Sequence, residues 1–338
     1  MLGGFLAMQG DWRQAARWLP GRGPALTALA GLVPLGAGDA LAQSCSIANA
    51  SGSYGVVDIL SGNAADTTAT FNVNCTGTPN QTVRLCVELS PGQTNAAGNR
   101  RLAAGSERLV HELYQNASRS IIWGSWGLAT TAYSLYPNGM TYDLALGPGG
   151  SAGGSLTVYG RVFASQTSSG PGSYTWTMTT APAAGYDYRT AAVCPTGTKQ
   201  ATSSGSAWTA VINSNCYVSA TNLNFGTVGA LVSNVDAASS ITVQCTKGTT
   251  YAIGLNAGTG PGATVGNRLM THGAQQVAYS LYSNSSRTTV WGNTVGADTV
   301  SGTGNGSAQV LTVHGRVPAQ TTPAPAAYSD TIIVTVTY

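Results

Sequence analysis

Residues Leu113 to Ser125, LYQNASRSIIWGS, recur 168 positions later as Leu281 to Asn293, LYSNSSRTTVWGN. Leu, Tyr, Asn, Ser, Arg, Trp and Gly match in register. The segments around them repeat as well. Asn99-Arg100 with Leu102 is answered by Asn267-Arg268-Leu269, and Leu156 to Val162, LTVYGRV, by Leu311 to Val317, LTVHGRV. Cys45 with Cys75 and Cys216 with Cys245 precede the two copies at separations of 30 and 29 positions. A period of roughly 170 residues is too long for a solenoid unit, so the chain is a duplicated module and not a repeat array.

Composition narrows the setting in which two such modules work. Charged residues make up 8% of the chain, against the roughly 25% usual in soluble domains, and small polar residues with Gly and Ala take their place. The net charge is +3 and the lysines are Lys199 and Lys247, which excludes a nucleic-acid footprint of clustered basic residues. Residues 1–42 read as a secretory signal: Arg13, Arg17 and Arg22 precede a short apolar run from Ala25 to Ala37, and Ala40-Leu41-Ala42 forms a small-x-small cleavage site. A membrane helix needs about 20 apolar residues, so export is the expected outcome.

An oxidising compartment makes the six cysteines disulfides. The duplication selects Cys45–Cys75 and Cys216–Cys245, which leaves Cys86 for Cys194 by elimination. Period-2 alternation dominates, and no amphipathic helix follows the leader. Val83, Leu85, Val87 and Leu89 share one face of Thr82 to Leu89. Ile332, Val334, Val336 and Tyr338 share the inward face of Tyr328 to Tyr338. Short strands separated by Gly, Asn and Pro turns predict an all-β chain of two β-sandwiches in tandem.

The expected organisation is a signal at 1–42, an N-terminal binding domain at 43–200, a segment at 201–213 that is either a linker or the first domain's last strand, and a C-terminal domain at 214–338. The second repeat ends on what reads as a core strand, so its sheet is either already complete or has an open edge. In the first repeat, Ser206 to Asn213 with Trp208 is surplus residues able to supply a final strand.

The paired cysteines, the LYxNxSRxxxWG and LTVxGRV segments and the closing YSDTIIVTVTY resemble the spore coat protein U domain family. In the two-domain arrangement they resemble tip adhesins of archaic chaperone-usher pili. The resemblance covers nearly all of the chain after the leader. It implies immunoglobulin-like sandwiches, with the C-terminal one lacking its last strand. Its implied partners are a periplasmic pilus chaperone, an outer-membrane usher and an adjacent pilus subunit that donates a strand to 214–338. Only Gln43 and Ser44 lie between the expected cleavage site and Cys45, so the chain is expected to accept a strand without donating one. The implied location is the fimbrium tip at the cell surface, reached through the periplasm, with attachment and biofilm formation as the function. A structural coat or shaft protein of the same family, without a receptor, is the alternative.

One insertion has no counterpart in the second repeat. Trp123 to Leu156 spans 33 positions where Trp291 to Leu311 spans 20. The additional residues lie within 126–146, where Tyr133 and Leu135 alternate before a Pro137-Asn138-Gly139 turn and Met140, Tyr142 and Leu144 alternate after it. This reads as a hairpin that either projects as an apolar finger toward an unknown host or abiotic surface or packs back on its own domain. The candidate contact residues are Tyr136, Pro137 and Met140, then Leu135, Leu128 and Trp126. Leu102, Ala103 and Ala104 form a weaker second finger.

No catalytic, cofactor or metal site is expected. His111, His272 and His314 have no ligand spacing, and no G-x-S-x-G segment occurs. Glu107 and Glu112 read as a solvated strand end. Trp123 and Trp291 are expected in the cores, and Arg119, Arg161, Arg287 and Arg316 recur as structural residues.

Overall fold

In the computed structural model, the described residues are 43–89, 98–124, 139–177, 184–189, 194, 201–203 and 205–338. They form strands, turns and loops, with no helix among them. The first repeat contributes β1 (Ser44–Ile47), β2 (Gly52–Val56), β3 (Ala65–Thr76), β4 (Thr82–Glu88), β5 (Arg101–Ala104) and β6 (Glu107–Tyr114). It continues with β7 (Met140–Ala145), β8 (Ser151–Val162), β9 (Gly172–Thr177), β10 (Ala184–Arg189), β11 (Ala201–Ser203) and β12 (Ala207–Ile212). Eight of these form one sheet in the order β1-β3-β8-β6-β5-β9-β12-β2, and four form a second in the order β11-β10-β4-β7.

Alternation sets which side chains meet between the sheets. Phe71, Val73 and Cys75 on β3 and Leu156 and Val158 on β8 are buried and face Val83, Leu85 and Val87 on β4. Each fully buried apolar side chain of this size stabilises the fold by roughly 1.5–3 kcal/mol. The other face of β4 is covered too. Cys86 is wholly buried and bonded to Cys194, and Glu88, two residues on and on the same face, is buried too. Cys45 lies directly opposite Cys75, and Cys216 opposite Cys245, each pair bridged across neighbouring antiparallel strands. All three expected disulfides are present.

The repeated segment proves to be a turn-and-anchor device built the same way twice. Asn116 accepts hydrogen bonds from the Ser120 and Ile121 amides, both at 3.1 Å, and Asn284 accepts from Thr288 at 3.1 Å and Thr289 at 3.0 Å. Arg119 (φ 54°) and Arg287 (φ 56°) sit in the left-handed region at the turn. Each donates from Nε to a glycine carbonyl, Gly160 at 3.2 Å and Gly315 at 3.1 Å. The indoles of Trp123 and Trp291 are buried and donate to Val87 O and Ile253 O at 3.0 and 2.8 Å. Asp66 binds Arg161 and Arg119, and Asp236 binds Arg316 and Arg287. The segment recurs because both sandwiches need the same corner.

The second repeat contributes β13 (Cys216–Ala220), β14 (Val235–Cys245), β15 (Thr250–Leu255), β16 (Arg268–His272), β17 (Gln275–Tyr282), β18 (Val300–Thr303), β19 (Gln309–Val317) and β20 (Val334–Thr337). Their sheets run β13-β14-β19-β17-β16 and β18-β15-β20. The expected single strand over 328–338 is divided. Ser329 bridges Thr271 beside β16, while Val334–Thr337 pairs with β15 in the other sheet. The run crosses from one sheet to the other, as β9 and β10 do in the first repeat. Tyr338, expected to face inward, lies beyond β20 and is 55% exposed.

The first repeat holds a strand that the second lacks. β12 lies between β9 and β2, antiparallel to the one and parallel to the other, and buries Trp208, Ala210 and Ile212. Segment 201–213 was open between linker and strand; residues 207–212 are a strand in the first sandwich. Among the described residues, nothing occupies the matching place in the second.

Candidate strand-accepting groove

The consequence of that difference is a groove in the second sandwich. It is bounded on one side by residues 220–231, which align with 49–60 at a constant offset. Phe225-Gly226 matches Tyr54-Gly55, and both glycines take positive φ, 79° and 66°. The other side is 322–334, where Tyr328 matches Tyr174. Each of these tyrosines donates to the carbonyl four residues earlier, Ala324 at 2.7 Å and Gly170 at 2.6 Å.

Two adjoining cavities of about 500 and 760 Å³ make up the groove. Ile241, Leu255, Leu281, Val313, Ile332 and Val334 line the first, and Leu231, Val277 and Val317 the second. Leu223, Phe225, Met270 and Tyr328 border both and form a waist between them. Their counterparts show what covering would achieve. Tyr174 and Leu102 are fully buried and Tyr54 is 8% exposed, whereas Tyr328, Met270 and Phe225 are only partly buried. Phe225, Met270 and Tyr328 are thus left partly open to solvent along one line of the second sandwich, and β20 presents an edge beside it.

The groove is almost without charge. Among the described residues Asp330 is the one carboxylate bordering it, and it is already engaged by the Tyr279 hydroxyl at 2.8 Å and by the Thr259 amide and hydroxyl at 2.7 and 2.9 Å. Burial, helped by that carboxylate, pushes the Tyr279 hydroxyl well above its ordinary pKa, so it stays protonated as a donor. An apolar trough beside an open strand edge has the shape and chemistry that suit an extended chain carrying alternate apolar side chains.

The residues expected to make contacts in the first repeat are distributed differently. Trp126, Leu128, Leu135, Tyr136 and Pro137 lie outside the described residues. Met140 opens β7, where Met140, Tyr142 and Leu144 face the core and β7 pairs with β4, so residues 140–145 are sheet. Leu102 is a correction. It is fully buried on β5, because the β5–β6 hairpin turns at Gly105 and points Leu102 into the sandwich. Ala103 and Ala104 are half-buried on the same strand, Ala103 being paired with Thr175 of β9. Among the described residues no group of His, Cys, Asp and Glu could hold a metal ion.

Sequence reasoning also missed a buried ion pair. Glu112, expected at a solvated strand end, is fully buried and bound by Arg100, which also donates to Leu89 O at 3.2 Å and Trp123 O at 2.8 Å. The repeat of Asn-Arg at the start of the β5 and β16 segments was its signal. Arg268 is buried in the same way and donates to Asn256 O, Val265 O, Leu255 O and Trp291 O at 2.7–3.0 Å.

These features define an all-β chain of two immunoglobulin-like sandwiches, the second lacking a strand that the first contains. The chain belongs to the Spore Coat Protein U domain family, whose model matches residues 32–181 and 202–335. Among solved structures it is similar to the CsuC–CsuE chaperone–tip subunit pre-assembly complex from archaic chaperone-usher Csu pili of Acinetobacter baumannii. Identity is 21% and the TM-score 0.51, over 87% of this chain and 100% of that one. It also matches the CupB6 tip adhesin of Pseudomonas aeruginosa at 12% identity over 88% of this chain and 95% of that one, with a TM-score of 0.34. The first similarity shows a shared fold; the second is too distant to add to the argument. No curated protein matches the chain by sequence.

Proposed function

We propose that this chain is a non-enzymatic subunit at the tip of a chaperone-usher fibre, its first sandwich (43–213) bearing the contact surface and its second (214–338) anchoring it. The observation that carries the reading is the apolar groove of the second sandwich at the place where the first holds β12. A strand from a neighbouring subunit fills that groove in the fibre, and a periplasmic chaperone covers it before delivery to an outer-membrane usher. The sequence resemblance and the fold shared with a chaperone–tip subunit complex support these partners. Export, a surface location and attachment leading to biofilm formation follow from the same reading. Residues around Tyr136 and Pro137 are the proposed contact with a host or abiotic surface, on the strength of the insertion's apolar sequence.

The test is to isolate the exported chain and identify what accompanies it. A chaperone and a fibre subunit are expected, with a strand of the subunit protected in the groove. Because the groove is nearly uncharged, complex stability should change little between low and high salt. A chain that stays a monomer, and that no extended apolar peptide stabilises against heat, overturns the anchoring role.

A further inference from the structure

We propose that the second sandwich selects its strand by size at one inward position, and that Leu223 is the residue that selects: the groove takes a small side chain where β12 carries Trp208. The inference rests on the reading that the groove accepts a strand, and it names what kind.

The first sandwich shows how a large residue is accommodated at that position. Trp208 lies opposite Gly52 on β2 and Trp176 on β9. Its ring fills the space that a Cβ at Gly52 would enter and also lies over Gly160, where a Cβ would come within 2.6 Å of both Trp208 Cζ3 and the Tyr54 hydroxyl. Two glycines therefore make room for one indole, which is fully buried.

The second sandwich keeps one of these glycines and replaces the other. Gly160 corresponds to Gly315, and Tyr54 to Phe225, but Gly52 corresponds to Leu223. A Cβ at Gly315 would meet Leu223 Cδ1 at 2.8 Å, Leu223 Cδ2 at 3.0 Å and Phe225 Cζ at 3.0 Å. The Leu223 side chain thus stands over Gly315 where the Trp208 ring stands over Gly160. The position is filled from the groove wall, and an incoming indole would overlap it.

The shape of the groove agrees. Leu223 belongs to the waist, with the cavities of about 500 and 760 Å³ on either side. The next inward position, that of Ala210, faces Tyr174 in the first sandwich and hence Tyr328, another waist residue, in the second. An occupant is narrow as it passes the waist and wide at both ends. The strand expected has apolar bulk before and after, and Gly or Ala at the position matching Trp208.

Two peptides test this on the full chain: SAWTAVIN, which is Ser206 to Asn213, and the same peptide with Ala replacing its Trp. Hydrogen exchange at 328–334 locates the binding. The wild-type protein should bind the Ala peptide at least about tenfold more tightly, and L223G should reverse the order, with L223A in between. Equal preference in wild type and both variants overturns the role of Leu223 while leaving the groove as a strand site. Binding of neither peptide by any of the three proteins overturns both readings.

Discussion

Tyr174 and Tyr328 make the same hydrogen bond at equivalent places in the two sandwiches, yet Tyr174 is fully buried and Tyr328 borders an open cavity. The backbone geometry is shared and the covering strand is not. Family membership alone would have treated the two repeats as equals. The difference between these tyrosines marks the second sandwich as the open one and the first as covered by β12.

Replacing Trp208 by Ala removes the largest side chain of the strand that completes the first sandwich. The expected cost is about 3–5 kcal/mol in the unfolding of that sandwich, since the two glycines facing the ring leave nothing to collapse into the cavity. Urea denaturation followed by hydrogen exchange resolves the two sandwiches. Loss of less than about 1 kcal/mol would show that β12 is dispensable.

Glu112 and Arg100 are both fully buried. Changing Glu112 to Ala strands the Arg100 cation in the core and should cost about 3–5 kcal/mol. The matching residue in the second repeat is Ser280, whose hydroxyl donates to Gly266 O at 2.7 Å near the surface. Ser280→Ala should cost no more than about 1 kcal/mol. Chemical denaturation of both variants checks the asymmetry.

His111 is wholly buried, with Nδ1 3.1 Å from the Tyr54 hydroxyl, the Trp176 ring against it and the Arg100 cation nearby. Burial, and secondarily Arg100, lowers its pKa well below the ordinary value. The unfolded chain therefore binds the proton first. Its contribution to stability is complete above the unfolded pKa of about 6.5 and is lost as pH falls from there toward the depressed folded value. Unfolding free energies between about pH 7.5 and 5 should decline for wild type and flatten in His111→Phe. An unchanged slope in that variant would assign the pH dependence to other groups.

Tyr136 and Pro137 belong to the insertion that only the first repeat has. A Tyr136→Ser, Pro137→Ala double variant should keep the wild-type melting temperature and its place in the fibre while losing attachment to surfaces. Undiminished attachment would favour a structural coat or shaft subunit.

Much of the fold could be read from residue order. The duplicated Asn-x-Ser-Arg corner was legible as structural because two copies varied around the same Asn, Arg and Trp, and those residues tie turn to sheet in both. Burial was harder to read where both strand faces are covered. Glu112 looked like a surface carboxylate because its partner, Arg100, lies just ahead of β5 and 12 positions away in sequence. Leu102 looked like a loop residue because its strand is four residues long and ends in a glycine turn.

The sequence by itself determined the two-fold repetition, the alternating strands and the cysteine pairs, since each depends on local period or on comparison of one copy with the other. Only the tertiary structure decided that one copy is closed and the other open. That outcome depends on contacts such as Ala50 with Ser206, 156 positions apart, which bring β12 alongside β2. Whether a wall residue is Gly52 or Leu223 carries no meaning along the chain. It acquires one when a strand has to lie against it, because the space over Gly160 and Gly315 holds one large side chain and no second.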